Sequence, residues 1–181
     1  MELTQGLPLD IDQRENRERR TYELLDRLGI RYERVDHDPA DTMEACLRVD
    51  EALGTQMCKN LFLCNRQKTD FYLLMMPGDK PFRTKELSAQ IGSARLSFAE
   101  ASFMERYLDI HPGAVSILGL MNDTDREVRL LIDEDLLSQE YIGCHPCVNT
   151  SSLKIATTDL LEIFLPATRH DFSKVRLTGN E

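Results

Sequence analysis

Leu61-Phe62-Leu63-Cys64 and Phe71-Tyr72-Leu73-Leu74-Met75-Met76 are two unbroken apolar runs separated by the polar turn Asn65 to Asp70. Runs this short and this continuous, bounded by a turn, read as neighbouring strands buried on both faces, because a half-exposed strand would alternate. They decide the fold class. The segments around them alternate between helix and strand patterns, which makes this an α/β chain.

Upstream, Tyr22, Leu24, Leu25 and Leu28 fall at near-helical spacing within Glu15 to Leu28 and stop at Gly29, predicting an opening helix. Ile30 to Val35 reads as a short strand that Asp36-His37-Asp38-Pro39 breaks. Asp41 or Thr42 caps a second helix closed by Leu53-Gly54, which leads toward Lys59. Residues 1–13 carry no periodic pattern and read as a tail.

Downstream of Pro77-Gly78-Asp79 a helix is expected to end near Ile91-Gly92. Ser97-Phe98-Ala99-Glu100 spells a capping box for a helix running to about Leu108. Strands are expected at Ala114 to Leu118, Val128 to Ile132, Tyr141-Ile142 and Leu153 to Ile155. Thr158 or Asp159 would cap a last helix, Leu160 to Leu165, that Pro166 stops before a polar tail. The organisation expected is an N-terminal tail (1–13), one domain (14–168) and a C-terminal tail (169–181).

The 181 residues, 41% hydrophobic, suffice for one sizeable core. No apolar run approaches the length of a membrane span, and the N-terminus lacks a signal-peptide pattern, so a cytoplasmic, membrane-free protein is expected. Lys and Arg number 22 against 31 Asp and Glu, a net −9 that disfavours sprawling nucleic-acid binding but permits a contact focused on one end.

Lys59 enters an apolar strand, where it either snorkels to water or aims an ammonium into a pocket. Gly143-Cys144-His145-Pro146 fits a tight loop whose backbone approaches something closely, with His145 and Asn149 at its rim. Cys144-His145-Pro146-Cys147 has CxxC spacing, but Val148 and Asn149 lead into Thr150-Ser151-Ser152, which reads as loop rather than helix. Cys58 and Cys64 have the wrong spacing for the second half of a zinc site. His111-Pro112-Gly113 is a second glycine loop. No serine-hydrolase elbow, P-loop, zinc-peptidase or dinucleotide motif is present, and no metal or cofactor is expected.

In this order the segments resemble the YbaK/ProX family of aminoacyl-tRNA editing domains, over roughly residues 17 to 168. The carriers include Asp38-Pro39, Thr42-Met43-Glu44-Ala45, Cys58-Lys59-Asn60-Leu61-Phe62-Leu63, Pro112-Gly113-Ala114-Val115-Ser116, Gly119-Leu120-Met121-Asn122-Asp123 and Gly143 to Thr150. The resemblance implies a mixed α/β fold with a curved central sheet. It also implies hydrolysis of a mischarged aminoacyl-tRNA, in particular alanine on proline tRNA, by a pocket that holds the terminal adenosine and the amino acid.

On that resemblance Lys59 is the catalytic candidate, and Thr42, Met43, Asn60, Gly113, Ser116, Gly119, Gly143, His145 and Asn149 are substrate-binding candidates. The implied partners are a tRNA acceptor end, helped by Lys80, Arg83, Lys85 or Arg95, and prolyl-tRNA synthetase. Where many relatives read Ser-Pro-Phe-Gly-Leu, this chain has Ser116-Ile117-Leu118-Gly119-Leu120, and Cys144 stands in place of an aromatic. A deacylase for another mischarged tRNA, and a non-catalytic module binding aminoacyl-tRNA or a synthetase, are the alternatives.

Overall fold

In the computed structural model, which describes residues 1–180, the two apolar runs form an antiparallel pair, β3 (Lys59–Cys64) and β4 (Phe71–Met76). Every residue of β4 is buried. That burial reflects its place in the middle of a five-stranded sheet, where both faces are covered.

The order of that sheet is β5 (Ser97–Phe98), β3, β4, β6 (Val128–Asp133) and β9 (Phe172–Val175), with β6 parallel to both β4 and β9. A four-stranded antiparallel sheet joins β1 (Leu3–Gln5), β2 (Tyr32–Asp36), β8 (Ser151–Ala156) and β7 (Tyr141–Cys144). The expected curved, mixed sheet is thus divided in two, and an isolated bridge between Met57 and Gly143 links the halves. The fold is mixed α/β.

The main core lies between the sheets and takes in Tyr22 and Leu25 from α1 (Asn16–Arg27), Phe62, Leu73 and Ile155. A second core on the other face of the five-stranded sheet seats Leu87 of α3 (Thr84–Ile91) against Leu74 and Leu131. Gly29 takes φ +72 just past α1, the left-handed turn expected of a helix stop.

Four local readings are corrected. Ser97 does not cap a helix: it pairs with Cys64 in β5, and α4 (Ala101–Leu108) starts after Glu100 without a side-chain cap. Ala114 to Leu118 is not a strand: Ser116 Oγ accepts from Leu118 N at 3.1 Å and turns the chain into a 3-10 helix, Ile117–Asn122.

The last helical stretch starts at Thr157, without a cap from Thr158 or Asp159, and passes through Pro166. A π turn over Leu160–Phe164, with Leu165 N bonded to Leu160 O, accommodates the proline's missing donor. The segments read as tails carry structure, since β1 adds to β2, β9 adds to β6, and Leu177 is buried. Among the described residues no helix is long and apolar enough to cross a membrane.

Candidate functional site

The site begins with α2 (Met43–Leu53). Thr42 Oγ1 accepts from Ala45 N at 3.1 Å at its start, and Gly54, at φ +76, closes its end. Asp50 reaches past that end to accept Met57 N at 3.0 Å, and burial raises its pKa while this bond opposes the rise. The bond draws the stretch 56–58 beneath the helix.

Two glycines let other segments lie against that stretch. A Cβ on Gly143 of β7 would sit 2.8 Å from Gln56 O, and one on Gly78 would sit 2.4 Å from Met57 O. Any side chain there would force the layers apart.

These elements enclose a cleft of about 470 Å³. Met43, Cys46 and Leu47 of α2 form one side, the stretch Gln56 to Lys59 another, and Gly113, His145 and Asn149 a third. Met43 and Leu47 remain strongly exposed at the mouth. Lys59 is half-buried and lies opposite Met76 in the β3–β4 register, and its Nζ donates to the Lys80 carbonyl at 2.7 Å. Two of its three ammonium N–H groups are left for the cleft.

His145 donates from Nδ1 to the Ser151 carbonyl at 2.8 Å. A carbonyl can only accept, so the proton is on Nδ1 and the neutral ring keeps a lone pair on Nε2. Burial lowers the His145 pKa, against the Ser151 bond and with help from His37, whose ring lies 6.4 Å away. His37 likewise donates from Nδ1 to Asp38 O at 2.7 Å, and its Nε2 lies 2.8 Å from Ser152 Oγ.

The strand start that supplies these partners is itself pinned. Ser151 Oγ donates to Asp36 Oδ1 at 2.6 Å, and Arg14 and Arg34 hold the same carboxylate. Burial works to raise the Asp36 pKa, but the three donors outweigh it and hold the group well below the usual carboxylate range.

Of the candidates read from the sequence, Met43, Lys59, Gly113, His145 and Asn149 line this one cleft. Gly113 takes φ +93, with the Asn149 amide 3.7 Å from where its Cβ would be. Thr42 stands at the edge as the cap of α2.

The others lie outside the lining. Asn60 donates to Cys58 Sγ, and Ser116 is fully buried as the cap of the 3-10 helix. Gly119 packs closely, since a Cβ there would sit 2.6 Å from Ile110 Cδ1 and 3.2 Å from Leu108 O. Gly143 is held in the β7–β8 ladder and gives its carbonyl to Cys58 N at 2.9 Å.

Lys80 does not project toward solvent: its ammonium is paired with Asp133 and Asp135. Lys85 and Arg95 are exposed, and Arg83 donates to Gly179 O. Cleft residues not foreseen include His37, Cys46, Leu47, Gln56, Gly78 and Ser152. Only the Asp36-His37-Asp38-Pro39 stretch carried a signal, and there the proline hid the histidine.

All five cysteines are free thiols. Burial pushes Cys58 up to about 11, Cys147 up to about 12, and Cys144 well above its ordinary value. Protonated thiols are poor nucleophiles and poor metal ligands. Among the described residues no group of three or more His, Cys, Asp or Glu is placed to hold a metal ion.

Residues 37–163 match the aminoacyl-tRNA editing domain family. The chain is 33% identical over 153 residues to the prolyl-tRNA editing protein ProX of Acetoanaerobium sticklandii, covering 84% of this chain and 93% of that protein. It is 33% identical over 150 residues to prolyl-tRNA synthetase associated domain-containing protein 1 of Danio rerio, covering 82% and 80%. A solved structure described as a candidate trans-editing enzyme for prolyl tRNA synthetase superposes with a TM-score of 0.67 at 15% identity, over 91% of this chain and 99% of that one. That last likeness speaks to the fold alone. By the family match and its curated relatives, this chain belongs to the aminoacyl-tRNA editing domain family.

Proposed function

We propose that this protein is a trans-editing hydrolase that removes alanine mischarged on proline tRNA. The observation that carries the reading is the meeting of the Lys59 ammonium and a neutral, oriented His145 in one cleft. The names of the ProX and synthetase-associated relatives supply the tRNA and point to prolyl-tRNA synthetase as a partner, and the proposed place of action is the cytoplasm. The catalytic unit spans at least residues 14–168.

An aminoacyl ester is already activated, so orientation of a nucleophile and stabilisation of developing charge suffice. The water oxygen bonds to the alanyl carbonyl carbon, the bond from that carbon to the ribose oxygen breaks, and a proton ends on the ribose oxygen. Lys59 supplies positive charge to the carbonyl oxygen or the terminal phosphate, and His145 Nε2 accepts a hydrogen bond from the water or the neighbouring ribose hydroxyl. Thr42, Met43, Gly113 and Asn149 shape the space for the amino acid and adenosine. Asn60, Ser116, Gly119 and Gly143 act from behind the wall by fixing the elements that form it.

A synthetase pocket built for a larger residue rejects a smaller one by only about 1–3 kcal/mol per methylene, so a second, smaller pocket is needed. The test is a panel of mischarged tRNAs, led by alanyl-tRNA(Pro), with wild type and Lys59→Ala. Expected is release of alanine by wild type and a loss of about hundredfold in the variant. No release above background from any member would overturn the reading in favour of a binding module, and release from another member alone would reassign the substrate.

A further inference from the structure

The loop after β4 holds a charged group that the proposed hydrolysis leaves unused. The Lys80 side chain is only 15% exposed, and its ammonium donates to Asp133 Oδ2 and Asp135 Oδ2, each at 2.7 Å, and to the Leu177 carbonyl at 2.6 Å. An ammonium has three protons, so these acceptors satisfy it in full. Asp133 is completely buried at the end of β6, and its second oxygen accepts from Asp135 N. The backbone of the same lysine faces the site, where the Lys80 carbonyl accepts the Lys59 ammonium at 2.7 Å.

The C-terminal segment ties down the same loop. Thr178 donates from N and Oγ1 to Glu86 Oε1 at 2.6 and 2.7 Å, and Gly179 N donates to Glu86 Oε2 at 3.2 Å. Arg83 Nε donates to Gly179 O at 3.3 Å, and a Cβ on Gly179 would lie 3.0 Å from Pro81 Cδ. Gln90 and Arg176 exchange hydrogen bonds alongside. All of residues 176–179 lie beyond the 37–163 stretch that the family shares.

We propose that Lys80 is a positioning residue for the editing reaction: its bonds to Asp133 and Leu177, under a strap formed by residues 176–179, fix the carbonyl that aims Lys59 into the cleft. A free lysine side chain samples many rotamers, and a rigid acceptor selects one. Only the carbonyl's placement matters to Lys59, so the Lys80 charge never meets substrate. The inference rests on the role proposed for Lys59 in hydrolysis.

Two full-length variants test it. Lys80→Met removes the anchoring ammonium, and Glu86→Ala frees the strap while leaving the Lys80–Asp133 pair in place. Two readouts are used: hydrolysis of mischarged tRNA under single-turnover conditions, and the proton–carbon NMR signals of the Lys59 ε-methylene, assigned by their loss in Lys59→Arg.

In Lys80→Met the rate constant is expected to fall by about tenfold to hundredfold with apparent affinity within about twofold, as small misplacements of a catalytic group do. Glu86→Ala gives a smaller loss in the same direction. In both, the Lys59 signals move toward those of a freely rotating lysine, and in a Lys59→Ala background neither change costs further rate. Unmoved Lys59 signals in the folded variants, or an equal further loss in the Lys59→Ala background, would overturn the proposal. Should Lys80→Met fail to fold, Glu86→Ala decides alone by the same signals. Should wild type hydrolyse no substrate, the deacylase reading falls while the NMR arm still judges the placement of Lys59.

Discussion

His145 lowers its affinity for a proton because it is buried and because His37 stands beside it. Its pKa in the folded chain lies below the ordinary 6.5, so the unfolded chain binds more protons in the window between the two values. The stability it contributes is therefore complete above 6.5 and is lost as pH falls through the folded value. Protonation also removes the Nε2 lone pair. Hydrolysis rates measured from roughly pH 5 to 8 should fall on the acid side with a midpoint below 6.5, and His145→Ala should flatten that limb. An unchanged limb in the variant would assign it to another group. The buried thiols behave oppositely to a redox pair: replacing Cys144 and Cys147 together by alanine should leave hydrolysis within about threefold, because neither offers a thiolate.

At the scale of elements, α2 depends on Thr42, whose hydroxyl satisfies an otherwise orphaned amide. Thr42→Ala should lower stability by about 1 kcal/mol in thermal or urea unfolding and weaken substrate affinity more than it slows turnover, since the helix end it frays carries Met43. Gly143→Ala should cost about 1–3 kcal/mol, because its methyl would meet the Gln56 carbonyl. Elements of this kind were legible wherever one local signal dominated: the Thr42 cap, the Gly29, Gly54 and Gly92 stops, and the apolar runs of β3 and β4. Legibility failed where a distant partner outweighed a local pattern. Ser97 to Glu100 has the spacing of a capping box, yet pairing with Cys64 claims the serine. The residues of β9 lie in a stretch that reads as a polar tail, and only pairing with the neighbouring β6 makes them a strand. The cleft was half legible for the same reason. Lys59 and His145 stand in distinctive surroundings, whereas Ser152 reads as loop and only the fold places it in β8 with its hydroxyl against His37.

For the molecule as a whole, a net charge of −9 and an inward-facing Lys80 leave few cations near the cleft for a polyanion. Affinity for tRNA should therefore fall gently with salt, with a log–log slope equivalent to about one to three phosphates; a slope several times steeper would mean a broad backbone interface. The division into two sheets has a further consequence for observation. The Met57–Gly143 bridge links the halves at the base of the cleft, and there Cys58 N donates to Gly143 O at 2.9 Å. The exchange of that one amide proton with deuterated solvent is thus a clock for parting of the halves. A bound substrate analogue spanning both should slow it out of proportion to amides deep in β4, giving a reading of occupancy that requires no turnover.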